Sequence, residues 1–213
     1  MLKFIGYLFL FYALSCAGSE NSAEIKTGAQ QAELYLPLLQ NKKVGLVVNH
    51  TSRVSDNHLV DFLLEKNIQV EKIFAPEHGF RGDASAGEKI EDGVDIKTGI
   101  PVFSLYGETR KPTPEHLQNL DVVIFDIQDV GCRFYTYIST LHFVIEACAE
   151  NNLPLLVFDR PNPNGDYVAG PVLDPEFQSF VGMDPIPIVH GCTVGELALM
   201  INGENWHQAM RKC

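Results

Sequence analysis

The 213 residues contain no G-x-S-x-G nucleophile elbow, no glycine-rich phosphate loop, no H-E-x-x-H pair and no G-x-G-x-x-G turn. Serine hydrolysis from an elbow, P-loop nucleotide chemistry, zincin proteolysis and dinucleotide-dependent redox therefore have no motif to stand on. The five cysteines, at 16, 132, 148, 192 and 213, show no C-x-x-C and no Cys/His metal spacing. No metal and no cofactor is expected; a metal-dependent hydrolase using His78, Asp83, Asp126 and His190 is an alternative without paired ligand spacing behind it. Positive charge is also scarce, with 16 Lys and Arg against 27 Asp and Glu and a net charge of −11. A nucleic-acid partner held by phosphate neutralisation is excluded on that balance, and any anionic ligand needs locally placed Arg or Lys. Internal repeats and low-complexity linkers are missing too. What remains is a chain that is 46% hydrophobic, ordinary for a globular protein, and long enough for one sizeable α/β domain or two small ones.

The opening "MLKFIGYLFLFYALSCAGSENS" is not fold. One early lysine, a short apolar run and small residues around Cys16 read as a secretory signal, too short for a comfortable membrane span. "ALSC" further resembles a bacterial lipoprotein cleavage box with Cys16 as the lipidated residue; plain signal-peptidase cleavage is the alternative. Residues 1–16 are thus expected to direct export, to the periplasm or an outer-membrane lipid anchor, otherwise to secretion. Residues 17–41 are expected to be a tether and a short helix.

From residue 44 the apolar pattern alternates between strand and helix. "VGLVVN" (44–49), "VEKIFA" (70–75), "PVFSL" (101–105), "DVVIFDI" (121–127) and "LPLLVFD" (153–159) read as strands. "LVDFLLEK" (59–66), "TPEHLQNL" (113–120) and "YISTLHFVIEACAENN" (137–152) read as helices, the last with Leu141, Val144, Ile145 and Cys148 on one face. Near-continuous Val/Ile/Leu/Phe strands separated by helices predict an α/β fold, a mostly parallel sheet with helices on both faces. In such sheets ligands bind beyond the carboxyl ends of the strands. The residues that follow each strand are Asn49-His50-Thr51, then Pro76-Glu77-His78-Gly79, Tyr106-Gly107, Asp126 with Gln128 and Asp129, and Asp159-Arg160. Polar and ionisable side chains concentrate at that one edge.

The triplet Pro-Glu-His occurs twice, and its two settings differ. In "RKPTPEHLQNL" Thr113 suits an N-cap, Pro114 the first turn and Glu115 the helix dipole, so helix-start chemistry explains every residue. "IFAPEHGFRGD" directly follows a strand, and Gly79 and Gly82 deny it a helix; the long glycine-rich stretch after it is of a length usually functional or mobile. Glu77 or Glu88 would serve as a general acid if burial raised its pKa, whereas solvated turn carboxylates are the bland reading. "DIQDVGCRFYTYISTL" (126–141) sets Asp126, Asp129 and Arg133 beside Tyr135 and Tyr137, which suits a sugar ring stacked on one face and hydrogen-bonded at its edge. A salt bridge between Arg133 and one of those aspartates is the alternative. Thr193 and Glu196 fit a capping box, which makes Glu196 structural, and His190 just before them stays open between site and scaffold.

Together "GLVVNHTS", "FAPEHGFRGDASAGEKI", "KTGIPVFSLYGETRKPT", "VVIFDIQDVGCRFYTYISTL", "FDRPNPNG" and "PIPIVHGCTVGELALM" closely resemble the exo-β-N-acetylmuramidases, bacterial glycoside hydrolases long known as a domain of unknown function. The resemblance covers roughly residues 42–206. It implies a Rossmann-like catalytic domain with long loops at the strand ends, and a peptidoglycan-derived sugar or muropeptide as substrate, cut at its non-reducing N-acetylmuramic acid. It implies Glu77, in the P-E-H-G motif, or Glu88, in A-G-E-K, as the acid. Asp126, Asp129, Arg133, Tyr135 and Tyr137 match the D-I-Q-D-V-G-x-R-F-Y-T-Y stretch and Arg160 the D-R-P-N-P loop; Asn49, His78, Arg81 and His190 complete the set expected to line the substrate. Arginines at the rim have a reason in the lactyl carboxylate of muramic acid. Members of that family continue past "NGENWHQAMRKC", with a smaller C-terminal domain across the cleft; residues 207–213 read as an interrupted element, and these 213 residues alone are expected to be weakly active or inactive.

Overall fold

Alternation along the central strands dictates how the chain folds, because each of them must bury both faces. The computed structural model describes residues 25–81, 92–107 and 109–207. Cys16, Asp83, Glu88 and residues 208–213 lie outside the described residues. From the N-terminus, α1 (Ala32–Leu39) precedes β1 (Lys43–Val48), and a hairpin of β2 (Arg53–Val54) and β3 (Asn57–His58) leads into α2 (Leu59–Glu65) and β4 (Gln69–Ala75). There follow β5 (Gly93–Val94), β6 (Pro101–Ser104), α3 (Pro114–Leu117), β7 (Val122–Asp126), α4 (Tyr137–Glu150), β8 (Leu155–Val157) and α5 (Val194–Gly203). The sheet order is β5-β6-β4-β1-β7-β8, parallel throughout except for β5 on one edge. The five expected strands and three expected helices are all present, and α1 is the short helix expected before residue 42. The two-residue strands β2, β3 and β5 carry too few positions for any alternation to announce them.

The two layers follow from side-chain period two. Val44, Leu46 and Val48 of β1 and Val122 and Ile124 of β7 pack against Tyr35 and Leu39 of α1 and Leu59 and Leu63 of α2. Val47, Val123 and Phe125 face the other way, onto Leu141, Val144, Ile145 and Cys148 of α4 and Val194 and Ile201 of α5. Gly45 interrupts the apolar run for a local reason: a Cβ there would stand 2.7 Å from Leu120 Cδ1. Cys148 is a buried thiol, as its place on the α4 face predicted.

Counted along the chain, the parallel strands lie in the order 3-2-1-4-5, so the connections reverse direction between β1 and β7. That reversal opens a crevice at the carboxyl ends of those two strands, the usual ligand position of an open α/β sheet. The loop leaving β4 is clamped on the opposite flank. Arg81 grips Asp95 through Nε–Oδ1 (2.9 Å) and Nη2–Oδ2 (2.8 Å), reaches Asp61 of α2 at 3.4 Å and lies over the Phe80 ring. Hydrogen bonding from Arg81 holds the Asp95 carboxyl down to about 2. A depressed carboxyl stabilises the fold above its unfolded value of about 4 and loses that contribution as pH falls through the folded one.

Candidate active site

The crevice is sewn together by short side chains just past β1. Asn49 Oδ1 accepts from the Thr51 backbone N–H at 2.9 Å and from Thr51 Oγ1 at 2.6 Å, and Ser52 Oγ donates to the Asp126 carbonyl across the sheet. Thr51 Oγ1 in turn accepts from Gln128 N at 3.0 Å, so the ends of β1 and β7 are locked in register. His58, the N-cap of α2, accepts at Nδ1 from Val60 N and therefore presents Nε2–H to the Asn49 carbonyl at 2.9 Å. Burial lowers its pKa, in keeping with that neutral tautomer.

Glu77 enters this crevice from the end of β4. Its Oε2 accepts from Thr136 Oγ1 at 3.1 Å, and the Tyr106 hydroxyl, from the loop after β6, donates to the same carboxylate. Burial first, then Glu77, raises the Tyr106 phenol above its ordinary value, while Arg110 pulls it back. Tyr137, the first residue of α4, is also raised, chiefly by burial, with Glu77, Tyr135 and Asp129 adding to it and Asn49 opposing. Its ring meets Tyr135 at 6.3 Å and 63°, and Tyr135 and its neighbour Phe134 are about half exposed, leaving an aromatic rim above the buried phenol. Glu77 and the Asp126–Tyr137 stretch thus share one side of the sheet.

A second carboxylate closes the inner end. Asp129 is buried; its Oδ2 accepts from Gly131 N at 2.7 Å and lies 3.4 Å from His190 Nε2. Gly131 has φ +80°, and a Cβ there would collide with Asn162 Oδ1 at 2.2 Å, so only glycine lets this turn sit against the Arg160–Asn164 loop. His190 Nδ1 accepts from Cys192 N, which leaves Nε2 as the ring nitrogen on the Asp129 side. His190 therefore belongs with the site, while Glu196 is spent on its capping box with Thr193, as expected. An apolar hollow of about 430 Å³ between α4, β8 and α5 is lined by Leu155, Val157 and Leu199 with Asp159 and Glu196. Asp159 accepts there from Thr193 Oγ1 and Gly195 N, so neither carboxylate is available for chemistry.

The expected arginines stand differently from the sequence expectation. Arg160 makes a two-pronged contact with the fully buried Asp126, at 2.7 and 2.9 Å, so both groups hold the floor of the crevice rather than its rim. Arg133 pairs with neither aspartate: it donates to the carbonyls of Pro171 and Ile186 and ties down the 161–189 excursion. Arg81 is committed to Asp95 and Asp61. His78 occupies a left-handed turn at φ 71°, half-buried beside Glu77. Two neighbours of Glu77 were missed. Thr136 has no motif of its own, and Tyr106 was one strand-end residue among many. The second Pro-Glu-His triplet is scaffold, with Thr113 and His116 forming reciprocal capping bonds and the His116 ring against Phe103 at 4.6 Å.

Among known proteins, residues 44–212 match the family described as "Exo-beta-N-acetylmuramidase NamZ, N-terminal". The chain is 51% identical over 173 residues to the peptidoglycan β-N-acetylmuramidase NamZ of Bacillus subtilis strain 168, covering 80% of this chain and 42% of that protein. Two crystal structures of DUF1343 family proteins from Bacteroides fragilis NCTC 9343 superpose with TM-scores of 0.78 and 0.81 at 49% and 44% identity. Each covers 88% of this chain, and the chain covers 49% and 48% of theirs. The chain thus spans under half the length of each of these relatives. On the extent of the match, this chain belongs to the exo-β-N-acetylmuramidase NamZ family, in its N-terminal region.

Proposed function

We propose that the protein takes part in hydrolysing the bond between a terminal N-acetylmuramic acid and the rest of a peptidoglycan fragment, with Glu77 as the carboxyl that exchanges a proton with the glycosidic oxygen. The observation that carries this reading is the convergence on Glu77 of Thr136, Tyr106 and Tyr137 at the reversal point of the sheet. Two hydroxyl donors fix the carboxyl's orientation, and the aromatic rim of Phe134 and Tyr135 offers a pyranose an apolar face. The substrate class is supported by the name of the Bacillus relative. Prolonged incubation with a muropeptide is expected to release free N-acetylmuramic acid, slowly from these 213 residues alone; a complex that forms with no release at all would favour sugar binding instead.

With Arg81, Arg133 and Arg160 committed elsewhere, the charge of Arg110 reaches Tyr106 of the Glu77 cluster, and its guanidinium lies over the Phe180 ring at 4.4 Å. We assign it the lactyl carboxylate. Arg110→Gln is expected to raise KM for a muramide about tenfold, the order of one charge-assisted hydrogen bond, and to leave an N-acetylglucosaminide unaffected. Equal effects on both sugars would remove Arg110 from that role. Export and lipid anchoring at Cys16 belong to the same proposal, supported by the "ALSC" box; mass spectrometry of the N-terminal peptide is expected to show a diacylglyceryl thioether.

A further inference from the structure

Three buried polar atoms in the crevice are left over once its internal hydrogen bonds are made, and one of them, His190 Nε2, faces Asp129 Oδ2 at 3.4 Å. The other two are Asn49 Nδ2 and Asp129 Oδ1. Leaving such groups unpaired costs about 1–3 kcal/mol each, so a pair of them beside a candidate catalytic carboxyl calls for an explanation. Neither can be removed by turning its side chain over. The two Thr51 bonds identify Asn49 Oδ1 as the acceptor, so the amide nitrogen must face inward, where it leans on the Tyr137 hydroxyl short of a full hydrogen bond. Gly131 N and His190 Nε2 both approach Asp129 Oδ2, which leaves Oδ1 as the oxygen without a donor. Thr51 Oγ1, bonded to Asn49 Oδ1 at 2.6 Å, accepts at 3.0 Å from the backbone N–H of Gln128, the residue before Asp129, which brings the two residues together at the strand ends. The crevice therefore offers one fixed N–H donor and one fixed anionic acceptor, both on side chains less than a tenth exposed.

That combination is the complement of a secondary amide, which has one carbonyl to accept and one N–H to donate. On a sugar the matching substituent is a 2-acetamido group. Resting on the reading of this crevice as a glycosidase site, we infer that Asn49 and Asp129 form a subsite for the substrate's acetamido group, with Asn49 Nδ2 donating to its carbonyl and Asp129 Oδ1 accepting from its N–H. Asp129 is then a specificity-determining residue, held in register by the Gly131 N–H with His190 beside it. A carboxylate in this place selects against substituents that lack the N–H, because an ester leaves Oδ1 buried without a donor and sets its own oxygen lone pairs against it.

The test compares two methyl glycosides that differ in one atom, a 2-acetamido sugar and its 2-O-acetyl analogue, which keeps the carbonyl and loses the N–H. Binding of each to the 213-residue chain is measured by titration calorimetry or by NMR shifts. The acetamido sugar is expected to bind at least tenfold more tightly, in line with the discrimination that a buried hydrogen-bonding group imposes. In Asp129→Asn the amide can keep its oxygen on Gly131 N only by turning its NH2 towards the ligand N–H, so the ratio is expected to fall to near one. An unchanged ratio in that variant, or equal binding of both sugars to the native chain, would overturn the subsite while leaving the crevice as a sugar site. Binding of neither sugar would overturn the site reading itself, and the subsite with it.

Discussion

Glu77→Gln is expected to lower turnover of a chromogenic muramide by about 10²–10⁴-fold, the range lost when a positioned general acid or base is removed. The amide keeps the shape of the carboxyl and can still accept from Thr136 Oγ1, but it cannot give up or take a proton at working pH. Binding should survive, with KM changed by a small factor, because the aromatic rim and the inner polar groups are untouched. Glu115→Gln supplies the contrast. It alters the same tripeptide where the structure shows an exposed helix start, and turnover is expected to be unchanged. Near-normal activity in Glu77→Gln would remove this residue from the chemistry and with it the significance of the strand-end turn.

Arg160→Met is expected to produce the largest loss of stability. Asp126 ends β7 with no exposure, and both of its oxygens are held by Arg160. Removing one partner of such a buried pair typically costs about 3–5 kcal/mol, because the remaining charge is left without compensation. Burial already pushes the Asp126 carboxyl above its ordinary range, and Arg160 is what pulls it back. Without the arginine the carboxyl rises further and is expected to take up a proton on folding. A carboxyl raised in the folded state favours folding most fully below its unfolded value of about 4, and that advantage disappears as pH rises through the folded one. Arg160→Met should therefore melt higher at pH 5 than at pH 8, relative to the native chain. Adding Asp126→Leu should recover much of the loss and flatten that pH dependence. Thermal unfolding at the two pH values checks both statements, and a variant whose deficit is the same at both would show that Asp126 stays ionised without its partner.

Most of the fold was legible because the central strands are buried on both faces and so write themselves as unbroken apolar runs. The helices show just as plainly: Leu141, Val144, Ile145 and Cys148 mark the buried side of α4 at helical spacing, and Thr193 with Glu196 marks the start of α5. Strand order and the crevice between β1 and β7 are consequences of pairing between distant segments, and the sequence pattern speaks to them only through the rule that ligands sit at strand ends. The site divides in the same way. Glu77 could be singled out because its triplet had no helix to serve, whereas the identical letters at 114–116 did. The partners of the arginines could not be read. Asp126 and Arg160 are 34 positions apart, and whether a guanidinium faces a substrate or a buried carboxylate depends on packing that no spacing encodes. Arg133 shows the same limit, since it serves backbone carbonyls of an irregular excursion with no sequence signature. Tyr106 and Thr136 matter because two loops, after β6 and before α4, meet the Glu77 carboxyl that a third, after β4, carries.

The most direct measurement is a structure of the protein with N-acetylmuramic acid bound. The pyranose is expected in the crevice between β1 and β7, its anomeric oxygen about 3 Å from a Glu77 oxygen and its ring against the aromatic rim. A sugar seated in the hollow beside α5, or one in the crevice with Glu77 turned away and no sugar oxygen within reach, would contradict the assignment of this carboxyl and of the site built around it.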